Sequence, residues 1–146
     1  MRARPESGQI TVLVIGFAVI LLGLVAVVVD ASEVVLLRRS LSSLADGAAL
    51  AAAQSVAEEP LYRGEVGEVV PLDPAQAHRA AAGYLQRAGA ARHDGFQLQQ
   101  VRVDPRTQRV SVVLSARADL PLVGSVTAAF DGTQVVASAS ARSPIG

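Results

Sequence analysis

The residues of this chain equipped for chemistry are few and scattered. Its two histidines lie apart, His78 beside Arg79 and His93 before Asp94-Gly95. A metal centre needs three or four convergent ligands. Two distant histidines among dispersed carboxylates therefore read as solvated surface residues. Glu58 and Glu59 form a pair in sequence only, because adjacent helix positions point apart while glycosidase carboxylates must converge on one bond. The serines have neither a nucleophile-elbow setting nor a general base at a recognisable place. No stretch matches the phosphate-binding patterns GxxxxGK(S/T) or GxGxxG. The chain has no Cys, which removes thiol nucleophiles, zinc–thiolate sites and disulfides together. No catalytic set, metal site, cofactor or small-molecule substrate is expected.

Composition points away from a compact enzyme. Of 146 residues, 51% are hydrophobic but only 3% aromatic, with a mean hydropathy of +0.38. Alanine and valine supply the apolar content, and such a chain has little aromatic bulk for a deep core. The 13 basic residues balance 13 acidic ones, and no basic run exceeds Arg38-Arg39. A nucleic-acid partner would require a clustered basic face.

The strongest signal is one apolar run. No residue from Ile10 to Val29 is charged. At about 1.5 Å per residue, a helix of that length spans the roughly 30 Å hydrocarbon core of a bilayer. Secretory signals have shorter apolar regions ending in a small-x-small cleavage site, and Val28-Val-Asp30 offers none. A helix apolar on every side needs apolar partners all round, more than the rest of this chain supplies. The run therefore reads as a retained transmembrane helix over residues 10–29, after a cytoplasmic lead over 1–9. Arg2 and Arg4 favour a cytoplasmic N-terminus and an extracytoplasmic bulk. Gly16 and Gly23 share a face, either as a seam for close helix–helix contact or as lipid-facing glycines without a role.

The helical pattern continues past Asp30. Leu37, Leu41, Leu44, Ala48, Ala51 and Ser55 recur at three- and four-residue intervals and define one stripe. Ala48 to Ala53 are strong helix formers. One helix is expected from about Ile10 to Val56, with residues 30–57 as its extracytoplasmic continuation. It should stop at Glu58-Glu-Pro60, since the residue before proline avoids the α region. Asp30 is either a simple stop at the membrane boundary or a contact with a partner subunit. Asp46 interrupts the alanine-rich stretch and has two candidate partners, Arg38 or Arg39 within the helix and a partner helix.

After a loop to Leu72, Asp73-Pro74-Ala75-Gln76 predicts a helix start with Asp as N-cap, Pro at the first position and Gln closing a capping box. Gly89 should end this helix, whose stripe is Ala77, Ala81, Tyr84, Leu85 and Ala88. The period then falls to two. Phe96, Leu98 and Val101-Arg-Val103 begin a strand, Asp104 to Gln108 turns, and Val110-Ser-Val112 and Leu114-Ser-Ala116 alternate again. Val126 to Phe130 is a strand or a short helix end, and Asp131-Gly132-Thr133 turns the chain. Val135 to Arg142 is a last strand with Ser138, Ser140 and Arg142 outward, before a frayed tail from Ser143 to Gly146. Residues 73–146 are thus expected to form a small α+β head with three or four antiparallel strands. So small a sheet needs a helix across one face, and the long N-terminal helix is the natural partner.

Ser7-Gly8, the apolar helix, the Asp just after it and Leu36 to Ala53 with its core LSSLADGAALAAA together resemble the TadE/TadG-like proteins of the Tad (Flp, tight-adherence) pilus machinery. The resemblance covers Ser7 to Gln54, with agreement only in pattern beyond. It implies a pilin-like α+β fold and a non-enzymatic, single-pass, pseudopilin-like accessory subunit of a bacterial pilus or type II-like secretion apparatus. The implied place is the cytoplasmic membrane, and the implied partners are other membrane subunits met through the N-terminal helix. On that reading Gly16, Gly23, Asp30, Leu37, Leu41, Leu44, Asp46 and Ala48 are the helix-packing or partner-contact residues. Pilin-type precursors are cut after a glycine and carry Glu at the fifth position beyond it. Gly8 is where such a cut would fall, but Leu13 stands at that fifth position, so a TadG-like protein that keeps its N-terminus fits better. The alternative is a membrane-anchored extracytoplasmic binding module for a ligand or cell-wall polymer. Low aromatic content argues against sugar stacking there.

Overall fold

The computed structural model of the chain describes residues 7–63, 73–122 and 133–142, with side chains described over 10–55, 73–122 and 133–142. One helix, α1 (Ser7–Arg63), runs through the apolar segment and the alanine-rich segment without a break. No proline interrupts it before Pro60, and its charged residues before Glu58 lie on its exposed side, apart from the buried Asp30. Ser32 even bonds back to the ladder, its Oγ donating to the Val28 carbonyl at 2.8 Å. The expected stop at Glu58-Glu-Pro60 is corrected, since α1 passes Pro60 and ends at Arg63. Proline deletes one donor, but propagation of an existing helix is favourable residue by residue, so one lost bond need not end it. Residues 64–72 lie outside the described residues.

The second helix, α2 (Pro74–Arg87), begins as its sequence predicts. Asp73 is the N-cap, and its Oδ1 accepts from the Ala75 N–H at 2.9 Å. The capping box is not formed, however. Gln76 Nε2 donates instead to the Ser55 carbonyl of α1 at 3.0 Å. The side chain finds a better use in fastening the two helices than in capping its own. At the other end Gly89 takes φ +70°, a conformation that a Cβ would strain. A 3₁₀ turn (Ala90–Arg92) leads to the sheet.

The sheet is a three-stranded antiparallel meander of β1 (Gln97–Asp104), β2 (Arg109–Ala118) and β3 (Thr133–Arg142), in the order β1-β2-β3. Asp104 still pairs with Arg109, so the hairpin loop is Pro105–Gln108, one residue shorter than expected. Asp104 organises that loop. Its carboxylate accepts from the Thr107 hydroxyl at 2.8 Å and the Arg106 N–H at 2.9 Å. The Thr107 hydroxyl first, and the Arg106 amide second, hold its carboxyl below the ordinary value of 3.8. A bulge between Leu98 and Gln100 explains why Leu98 and Val101, three apart, both turn inward opposite Leu114 and Val112. The bulge side chain, Gln99, donates from Nε2 to the buried Ser115 Oγ at 2.8 Å. The readings for Val126–Phe130, the Asp131-Gly132 turn and the tail from Ser143 lie outside the described residues.

Period-two burial is clearest on β2, where Val110, Val112, Leu114, Ala116 and Ala118 all face the helices and are buried. From β3, Val135 and Ala137 join them, while Ser138, Ser140 and Arg142 are exposed on the opposite face. The second half of α1 lies over β2 and β3, and α2 lies beside it over β1. This corrects the expected stripe on α1. Leu41, Leu44, Ala45, Ala48, Ala49, Ala52 and Ala53 are buried, while Leu37, Ala51 and Ser55 are only half-buried. A helix flanked by both a sheet and a second helix buries a wider face than a one-sided stripe. The segment 73–146 therefore holds its core jointly with α1.

Candidate functional site

The site is α1 itself, which changes character along its length. From Ile10 to Val29 every side chain is exposed except the half-buried Ala26. Leu13 is 74% and Phe17 61% exposed. None of the apolar window is buried inside the protein, and α1 is long and apolar enough to cross a membrane. A core helix of a soluble protein would be covered on its apolar sides; among the described residues this half of α1 is covered only in part, at Ala26. A Cβ added at Gly16 or Gly23 would meet nothing within 4 Å, so both glycines are open to whatever surrounds the helix. Gly16 sits in a shallow apolar depression with Val12, Leu13, Phe17 and Ile20. Gly8 lies in the first turn of α1, and its surroundings are outside the described residues.

Asp30 marks the change. It is only 4% exposed, and its Oδ1 accepts from the backbone N–H of Leu122 at 3.3 Å. That bond ties the end of the apolar half to the segment leaving β2. A buried carboxylate needs such donors, because desolvation without them is costly. Neither sequence reading of Asp30 foresaw an anchor point for the chain's own head.

Beyond Asp30, α1 is covered step by step. Leu37 packs half-buried against the cluster of Leu41, Ala116, Ala118, Val135 and Ala137. Leu44 and Ala48 belong to the larger cluster with Ala77, Ala81, Leu85, Val110, Val112 and Leu114. Gly47 lies under Tyr84 of α2, and a Cβ there would overlap the phenol ring. Small size at that position lets the two helices meet. Asp46 is exposed, and no ion pair joins it to Arg38 or Arg39. Its carboxylate faces outward from the head.

The histidines separate in role. His78 is exposed on α2. His93 is half-buried, and its Nε2 lies 3.0 Å from Ser40 Oγ on α1. The reading of His93 as a solvated residue is thereby corrected: it fastens the 3₁₀ turn to the long helix. Asp73 and Arg79 approach to 3.9 Å at the surface, a contact contributing about 0–1 kcal/mol. Among the described residues no group of three His, Asp or Glu has metal-ligand geometry. Three contacts escaped sequence reading: Asp30 with Leu122, Gly47 with Tyr84, and Ser40 with His93. For the second, a glycine inside an otherwise alanine-rich helix was the available signal.

Comparison with known proteins finds one family. The model for putative Flp pilus-assembly TadE/G-like proteins matches residues 8–55. The match begins in the first turn of α1 and ends at Ser55, the residue whose carbonyl Gln76 holds. It thus covers both the bare apolar half and the half packed in the head. No curated protein and no solved structure matches the chain. A pilus-assembly family domain on an apolar N-terminal helix fits a membrane-anchored Tad component. Across residues 8–55, therefore, the chain is similar to the TadE/TadG-like proteins.

Proposed function

We propose that the protein is a single-pass, pseudopilin-like accessory subunit of a Tad (Flp) pilus or a related secretion apparatus. Its N-terminus is cytoplasmic, and its head is extracytoplasmic. It works without catalysis, by packing α1 against other membrane subunits and by protein contacts of the head. The observation that carries this reading is the division of α1: among the described residues Ile10–Val29 is apolar and exposed but for the half-buried Ala26, while Leu41–Ala53 is built into the head. An uncovered apolar helix of that length finds its cover in lipid or in other helices. Of the α1 residues singled out in the sequence, Gly16, Gly23 and the exposed Asp46 are left for partners, while Leu41, Leu44 and Ala48 serve the head's own packing.

The absence of native cysteine makes the test direct. Single cysteines at Gly16, and at Ser140 on the head, are introduced into the protein in its own host. A membrane-impermeant maleimide should label Ser140→Cys in intact spheroplasts. Crosslinking from Gly16→Cys should capture another pilus or secretion subunit. Labelling of Ser140→Cys only after lysis overturns the orientation. Recovery of the chain without any such subunit overturns the assembly role.

A further inference from the structure

We infer that the segment leaving β2, Leu120-Pro121-Leu122, is seated in the lipid interface beside α1, so that the head rests on the bilayer instead of standing above it. This rests on the membrane anchoring of α1. The segment lies at the height of Asp30, the first charged residue after the apolar half, because the Leu122 N–H donates to Asp30 Oδ1 at 3.3 Å. Whatever medium surrounds Val29 is within one residue of that contact along the helix. Ala26, one turn lower on the face of Asp30, is half-buried while its neighbours in the span are exposed.

The chemistry of the segment suits that medium. Leu120, Pro121 and Leu122 carry no charge, whereas Asp119 before them is exposed. The Leu122 side chain is 43% exposed although its backbone N–H is bonded to the buried Asp30. Backbone donors that leave water must be satisfied within the protein. Pro121 has no N–H to satisfy, and the Leu122 N–H is satisfied by Asp30. One bond therefore serves two needs: it removes a donor that lipid would penalise, and it supplies the carboxylate with a partner at the point where the chain leaves hydrocarbon. The occupant is the bilayer itself, which continuity with the apolar half of α1 places at this height.

The chain has no Trp, so a single introduced indole reports its own surroundings. Full-length Leu122→Trp, Phe17→Trp and Ser140→Trp proteins are reconstituted in phosphatidylcholine vesicles, with and without lipid brominated along the acyl chain. Leu122→Trp should emit at shorter wavelength than Ser140→Trp and lose intensity to bromines nearest the headgroup. Emission like that of Ser140→Trp, quenched by aqueous iodide, overturns the seat. Blue-shifted emission that brominated lipid does not quench also overturns it, since a protein surface is then the cover. Phe17→Trp separates this failure from failure of the anchor: if it too escapes brominated lipid, the anchor reading falls first. Should the indole at Leu122 disturb folding, a nitroxide on Leu122→Cys gives a second reading. Greater relaxation by oxygen than by a water-soluble nickel complex is expected, and the reverse order overturns the proposal.

Discussion

The carboxylate of Asp30 accepts the backbone N–H of Leu122 at 3.3 Å, although the two residues are 92 positions apart in sequence. The contact joins the boundary of the apolar half of α1 to the segment leaving β2. Replacing Asp30 by Ala removes the charged acceptor of this part-buried bond, a change that costs about 1–3 kcal/mol. Asp30→Asn keeps a carbonyl oxygen in reach and should lose less. Denaturant unfolding in a mild detergent, followed by a probe on the head, should rank wild type above Asp30→Asn above Asp30→Ala. Equal midpoints for all three would mean that the bond contributes nothing to holding the head.

Tyr84 lies on Gly47 where α2 crosses α1. Even the smallest addition, Gly47→Ala, drives a methyl group into a rigid ring, and the ring has to move. Overpacking of this kind costs about 1–3 kcal/mol, well beyond the gain in helix propensity of up to about 1 kcal/mol. A double-mutant cycle with Tyr84→Ala tests it. The cost of Gly47→Ala should vanish, or reverse, once the ring is gone. A cost that is the same in both backgrounds would place its origin elsewhere than the helix crossing.

The shared core has a consequence for dissection. A fragment starting at Asp73 keeps α2 and the sheet but loses Leu41, Leu44, Ala45, Ala48, Ala49, Ala52 and Ala53, all buried in the protein. Its inner sheet face would meet water, and small domains have little burial to spare. We expect no cooperative unfolding transition and poor amide dispersion from residues 73–146. A fragment from residue 29 onward, which retains Asp30 and the packed half of α1, should fold. A well-folded 73–146 fragment would show that α1 is an accessory to the head and not part of it.

Much of this was legible in the sequence because it was local or periodic. The apolar run, the Asp73-Pro74 start and Gly89 stop of α2, and the alternation on β2 each follow from short-range rules. The inward placement of Leu98 and Val101 broke the period of two, and only the bulge at Gln99 reconciles it. On α1, the stripe through Leu37 and Leu41 was readable, but Ala45, Ala49, Ala52 and Ala53 were not. Alanine carries no clear preference between core and surface, so burial there depends on α2 arriving on that side. Contacts between distant segments left no trace in pattern. Asp30 looked like a boundary residue and His93 like a loop residue, because neither Leu122 nor Ser40 stands out among its neighbours.

The β1–β2 turn offers a check that depends on pH. The Asp104 carboxylate accepts from the Thr107 hydroxyl at 2.8 Å and the Arg106 N–H at 2.9 Å, which lowers its affinity for a proton in the folded protein below the ordinary value of 3.8. The folded state thus binds fewer protons here than the unfolded chain. The turn's contribution is fully present above the unfolded value, and it is lost as pH falls through the lowered folded value. Asp104 is only half-buried, in a surface turn, so solvent screens the effect, and we expect it in the titration of this one carboxyl more than in global unfolding. Thr107→Val deletes the larger cause and should raise the Asp104 value toward 3.8, while Arg106→Ala, which keeps its amide, should move it less. Carboxyl carbon shifts followed by NMR from neutral to acid pH would measure both. Should Thr107→Val titrate with wild type, the hydroxyl is not what holds the proton off and the turn is organised by its backbone alone.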